Sequence, residues 1–112
     1  MDNGASSYRR FLDGDDNGII EIVNNYKDGL ILYLNGYVNN IFIAEELTED
    51  TFFRLIIKKP KYSGKSTFKS WLYAIGRNVA VDYILLTHIA LSGATKRPTM
   101  KWLPLSLNFR RL

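Results

Sequence analysis

Ring-bearing and cationic side chains interleave between Tyr62 and Arg77, in the order Tyr62, Lys65, Phe68, Lys69, Trp71, Tyr73, Arg77. That mixture suits an unpaired nucleic-acid strand. Cations neutralise phosphates, and each ring that accepts a base contributes about 1–3 kcal/mol of stacking. Asn78, beside Arg77, both donates and accepts, as reading a base edge requires. Helical period assigns Phe68 and Trp71 to a core. Tyr62, Tyr73 and the cations are left as the exposed set.

Other constellations carry less chemistry. Gly64-Lys65-Ser66-Thr67 resembles the end of a phosphate-binding P-loop. That motif needs a glycine five positions before its Gly-Lys pair, where Lys59 stands, and a preceding buried strand, where a charged helix end stands. Glu45, Glu46, Glu49 and Asp50 form an acidic cluster, but no second cluster supplies the opposite wall that catalytic carboxylates need. The cluster is either a solvated face or a docking face for a basic partner. His88 is the one histidine and there is no cysteine, which rules out thiolate metal sites and most histidine-built ones. No catalytic set, metal or cofactor is expected, and the chain is not read as an enzyme.

The elements that position these residues read as helices almost throughout, in an all-α compact bundle of about four. A short first helix is expected over Ser7–Leu12, closed by the turn cluster 13–18. The second starts at Asp16 or Asn17. Ile19, Ile22, Val23, Tyr26, Leu30, Tyr33, Leu34 and Tyr37 make one stripe at spacings of three and four. Asn39-Asn40 is the expected stop. A third helix covers Ile43–Lys58, with Ala44, Leu47, Thr51, Phe52, Leu55 and Ile56 inward and Pro60 forbidding continuation. After a loop from Lys61 to Lys65, Ser66 or Thr67 caps a fourth helix. Its core face is Phe68, Trp71, Leu72, Ile75, Val79, Tyr83 and Leu86, and it fades by Ser92-Gly93. The expected division is a helical domain over 1–92 and a linker or C-terminal arm over 93–112.

Charge is split along the chain. Residues 1–50 carry three basic and ten acidic side chains, a net of −7, and residues 51–112 carry twelve basic and one acidic, a net of +11. The basic part fits nucleic acid or another acidic surface. The acidic part fits a basic protein, unless the two halves neutralise each other. The N-terminus lacks the basic-then-apolar order of a signal peptide. No apolar run is expected to reach the roughly 18 residues of a membrane span. A soluble, cytoplasmic domain is the expectation.

Two stretches carry a resemblance. Ala44 to Leu55 reads Ala-Glu-Glu-Leu-Thr-Glu-Asp-Thr-Phe-Phe-Arg-Leu, and Ser66 to Tyr83 reads Ser-Thr-Phe-Lys-Ser-Trp-Leu-Tyr-Ala-Ile-Gly-Arg-Asn-Val-Ala-Val-Asp-Tyr. Over about residues 7–84 the chain resembles region 2 of bacterial sigma-70-type RNA polymerase sigma factors, nearest the extracytoplasmic-function (ECF) type. The stretch from Lys96-Arg-Pro98 through Pro104-Leu-Ser-Leu-Asn108 is similar to the linker that follows region 2.

The resemblance implies two surfaces. Glu46, Leu47, Glu49, Asp50 and Phe53 would dock on the coiled-coil clamp of the largest polymerase subunit. The chain departs there, with Glu49-Asp50 where the family usually has Gln-Glu, which keeps the charge but loses the amide donor. The loop Tyr62, Ser63, Gly64, Lys65, Ser66 and Thr67 would accept a flipped base of the promoter −10 element, melted to a single strand. Asn78 would touch an extruded base, Tyr73 would stay exposed beside it, and Lys65, Lys69 and Arg77 would hold phosphates. Trp71-Leu72 stands where primary members carry two tryptophans, which implies weaker melting. Ile84 to Leu91 is apolar where relatives turn basic, and covers core, meets a partner or pairs with a second copy. An anti-sigma factor is a further partner the resemblance allows. The rival expectation is a helical interaction module of sigma-like fold that binds polymerase or an anti-sigma partner without reading DNA.

Overall fold

The computed structural model describes residues 3–92, and the expected linker or arm over 93–112 lies outside them. Four helices follow in order: α1 Asn3–Leu12, α2 Asn17–Val38, α3 Ile41–Lys58 and α4 Phe68–Ser92. The long α2 packs against the other three. The chain is all-α, a compact four-helix bundle.

The helix ends follow from local chemistry. Gly14, at φ +106°, makes the turn after α1, and Asp15 Oδ1 accepts from the Asn17 N–H at 2.9 Å. Asn39 closes α2 in the left-handed conformation, φ 52°, with its N–H on the Asn35 carbonyl at 2.8 Å. The very next residue opens α3. Asn40 is extended, and its Oδ1 accepts from the N–H groups of Phe42 at 3.0 Å and Ile43 at 3.2 Å. Asn40 is therefore a start as well as a stop, and α3 begins two residues earlier than the sequence suggested. Lys59 ends α3 at φ 47° before Pro60. Of the two candidate caps for α4, Thr67 serves: its Oγ1 accepts from the Ser70 N–H at 3.1 Å.

The core sits where the periodic stripes meet. Ile22, Leu30 and Leu34 of α2, Ala44 and Leu55 of α3, and Phe68, Leu72, Val79 and Ala80 of α4 are fully buried. A cluster of rings closes one end, with Tyr8 5.7 Å from Phe68 and 5.3 Å from Trp71 between centroids. Helices α1 and α2 approach closely enough that a Cβ at Gly18 would lie 2.2 Å from the Ser7 carbonyl oxygen. That contact fixes glycine there.

Three expectations are corrected. Ile56 and Tyr37 are exposed at 40% and 39%, because the stripes drawn for α3 and α2 were wider than the faces their neighbours cover. Thr48 and Arg54 are buried instead. Helix α1 starts at Asn3, and not at Ser7. Helix α4 is long and apolar enough, over Phe68–Leu91, to match a membrane-crossing segment by length and composition. Phe68, Leu72, Val79 and Ala80 of this helix belong to the bundle core, whereas Ile84, Leu85 and Leu91 toward its C-terminal end are exposed, and Lys69, Arg77 and Asp82 interrupt the segment.

Candidate functional site

Helix α4 presents a ridge of exposed Ser70, Arg77 and Val81 with half-buried Ala74 between them, flanked by a groove on each side. Adjacent helical residues point about 100° apart. Arg77 and Asn78 therefore face different grooves. Arg77 borders a groove of about 440 Å³ against α2, with Tyr33, Lys69, Ser70, Tyr73 and Ala74. Asn78 borders a groove of about 570 Å³ against α3, with Arg54, Lys58, Pro60, Ile75 and Asp82. Both side chains are exposed.

The loop before α4 is tightly self-contained. Gly64 takes φ +86°, and the Ser63 Oγ accepts from the Lys65 N–H at 3.3 Å. Lys65, Ser66 and Thr67 are exposed. Tyr62 is not the free platform that the sequence suggested. Its ring lies 5.6 Å from Phe68 and 5.0 Å from Trp71, and its hydroxyl donates to the Ser66 carbonyl. The ring closes the loop onto the core. Trp71 is half-buried and Leu72 fully buried, so only the first of that pair has a face to offer.

Tyr73 is also half-buried, and the expectation of an exposed ring is corrected. It packs 4.8 Å from Tyr33, and Lys69 Nζ sits 5.3 Å from its centroid. Burial raises its hydroxyl above the ordinary range. Space for that hydroxyl comes from Gly29, where a Cβ would lie 2.6 Å away. Tyr33, expected in the α2 core stripe, lines this groove, and Tyr37, expected in the same stripe, packs against Tyr33. Their paired hydroxyls, 3.3 Å apart, are the signal sequence reading missed: two tyrosines one turn apart offer polar ends that a core stripe does not need.

Helix α3 carries the acidic surface. Glu45, Glu46 and Glu49 are exposed, and Phe42 and Phe53 stand out beside them at 74% and 40% exposure. Glu45, Glu49 and Phe53 border a groove of about 600 Å³ against α2, floored by Val23, Ile31 and Phe52. Two residues assigned to this surface point elsewhere. Leu47 is in the core, held there by the same stripe as Ala44. Asp50 is half-buried and pairs with Arg54 one turn on, at 3.8 Å. Among the described residues no ion pair joins Glu45, Glu46 or Glu49 to Lys65, Lys69 or Arg77. Among the described residues, these three glutamates and three cations are not paired with each other, while Asp50 and Arg54 are. Among the described residues, no cluster of three or more His, Cys, Asp or Glu side chains is placed to hold a metal ion.

Comparison with known proteins gives a consistent picture. The Sigma-70 region 2 family model matches residues 22–86. The chain is 40% identical over 48 residues to the "Probable RNA polymerase sigma-C factor" of Mycobacterium bovis, covering 43% of this chain and 26% of that protein. It is 28% identical over 71 residues to the ECF RNA polymerase sigma factor SigW of Bacillus subtilis, covering 63% and 38% respectively. For SigM of the same organism the identity is 32% over 66 residues, 59% and 40%. The chain spans about a quarter to two-fifths of the length of these relatives. No solved structure matches it significantly.

Proposed function

Because this chain belongs to the sigma-70 region 2 family and is homologous to ECF sigma factors, we propose that it directs RNA polymerase to promoters. The acidic ridge of α3 docks on the clamp coiled coil of the largest polymerase subunit. The loop before α4 and the exposed face of α4 take the −10 element as a separated strand. The place of action is the cytoplasm, where polymerase works.

One observation carries this reading: the acidic ridge of α3 and the cationic face of α4 are both exposed and are not paired with each other. A basic coiled coil and a DNA strand can then be held at once. Complementary charge speeds encounter and sets register more than it adds affinity. Within the DNA face, Lys65, Lys69 and Arg77 neutralise phosphates. Asn78 reads a base from the α3 side of the ridge, where Pro60 and Ile75 give an apolar wall. Unstacking a base costs a few kcal/mol, which these contacts offset. Trp71, half-buried among Tyr8, Tyr62 and Phe68, is the ring nearest this loop for the duplex fork.

The test is a titration of fluorescein-labelled single-stranded −10-like DNA, with a polymerase pull-down beside it. Sequence-dependent strand binding together with polymerase capture supports the reading. Capture without strand binding supports the rival, a sigma-like module that binds proteins only.

A further inference from the structure

The groove between α2 and α4 holds more aromatic and hydroxyl chemistry than packing requires. Tyr33 lies 4.8 Å from Tyr73, and Tyr37 meets Tyr33 edge-on at 5.5 Å. Tyr37 is 39% exposed and packs against Tyr33, which lines the groove. Lys69 covers the Tyr73 ring at one end, and Arg77 stands at the other. The two cations are eight residues apart on α4, a rise of about 12 Å. No carboxylate lines this groove; Asp28, the nearest acid in sequence to Gly29, borders the opposite groove against α3. A chamber of about 440 Å³ with tyrosine on one wall and cations at both ends suits one unpaired nucleotide.

We propose that Tyr33 and Tyr37 form a second base-stacking site on α2 for an unpaired nucleotide of single-stranded DNA. Lys69 and Arg77 hold the flanking phosphates. This inference rests on the strand-binding reading above and extends it from α4 to α2. The exposed face of Tyr37 receives the base, and the Tyr33 hydroxyl orients the Tyr37 ring through their hydrogen bond. The strand then crosses the α4 ridge, between the groove that Asn78 borders and the one that Tyr33 lines. Ser70 and Ala74 on that ridge are small enough to let the backbone of the strand pass close.

The experiment uses the full chain and a short fluorescein-labelled single strand, with a matched strand carrying 5-iodouracil at successive positions for photocrosslinking. Tyr37→Ala removes an exposed ring, and thermal melting checks that the fold is kept. Binding by Tyr37→Ala is expected to weaken about tenfold with an unchanged salt slope, since a stack and not an ion contact is lost. Crosslinks are expected on Tyr37 or Tyr33. Tyr33→Phe, which keeps the ring and frees Tyr37, is expected to weaken binding by less. Wild-type affinity in Tyr37→Ala, without crosslinks on α2 but with weakened binding in Arg77→Ala, overturns this inference and leaves the strand-binding reading intact. No binding of any single strand by the unaltered chain overturns both. Equal competition by poly-glutamate marks an acidic-peptide groove and also overturns it.

Discussion

The hydroxyl of Tyr8 donates to the carbonyl of Pro60, fifty-two residues away. That bond fastens α1 to the start of the loop that leads into α4. The Tyr8 ring is 1% exposed and lies against Phe68 and Trp71, so one residue braces both the loop and the first turn of α4.

Replacing Tyr8 by Phe keeps the ring and leaves the Pro60 carbonyl without this donor. The expected loss is about 1 kcal/mol by urea denaturation at neutral pH. Burial pushes the Tyr8 hydroxyl from 10.0 up to about 12. The folded value is raised, so its contribution is complete below pH 10 and is lost as pH climbs through about 12. The native chain should lose up to about 2–3 kcal/mol across that window from this group. The decline should be shallower in Tyr8→Phe. An identical pH profile in both proteins would separate Tyr8 from the alkaline transition.

Two glycines of α2 should respond in opposite directions to alanine. Gly36 is exposed and nothing lies within 4 Å of a Cβ built there, so Gly36→Ala should stabilise by about 0.5–1 kcal/mol through helix propensity. At Gly18 the added carbon meets backbone, and the same change should cost several times that gain, on the order of 2–4 kcal/mol. Thermal and urea melts of the two variants compare them directly.

Charge reversal should separate docking from folding on α3. Glu46 is exposed, and Glu46→Lys should leave stability within about 0.5 kcal/mol while abolishing polymerase capture. Asp50 neutralises the buried Arg54, so Asp50→Lys should destabilise the fold by about 3 kcal/mol or more. Loss of capture in Asp50→Lys therefore reports on the bundle, and Glu46 is the cleaner probe. Retained capture in Glu46→Lys would move the docking surface off α3.

The cations and Asn78 should differ in kind. Lys65→Ala and Arg77→Ala should each weaken single-strand binding across all sequences and reduce the salt slope by about 0.7. Asn78→Ala should leave the slope alone and flatten the preference among strands. A slope that stays constant in both cation variants would take phosphate contact away from these side chains.

Much of the fold is legible because it follows from period. Phe68, Leu72 and Val79 had to share a face, and they do. Among the described residues, Glu46 and Glu49 remain exposed and form no ion pair with Lys65, Lys69 or Arg77. What the sequence conceals is direction and distance. Arg77 and Asn78 are neighbours in the chain yet border different grooves, because one helical step turns the side chain away. Tyr33 and Tyr73 meet across forty residues, a contact that no local window contains. Leu47 lies within the acidic segment of α3, but burial withdraws it from the surface. Asn40 read as a stop because its cap depends on an extended backbone that composition does not reveal.

The joint between α2 and α3 has no spare link. Asn39 finishes one helix and Asn40 begins the next, each with its own hydrogen bonds already committed. Inserting a single residue after this pair, within α3, would rotate everything downstream by about 100° and swing the glutamates from the open side toward the interior. Length at this corner is thus a setting as consequential as any side chain: it clocks one surface against the other, and natural variation there should be confined to exchanges that keep the count.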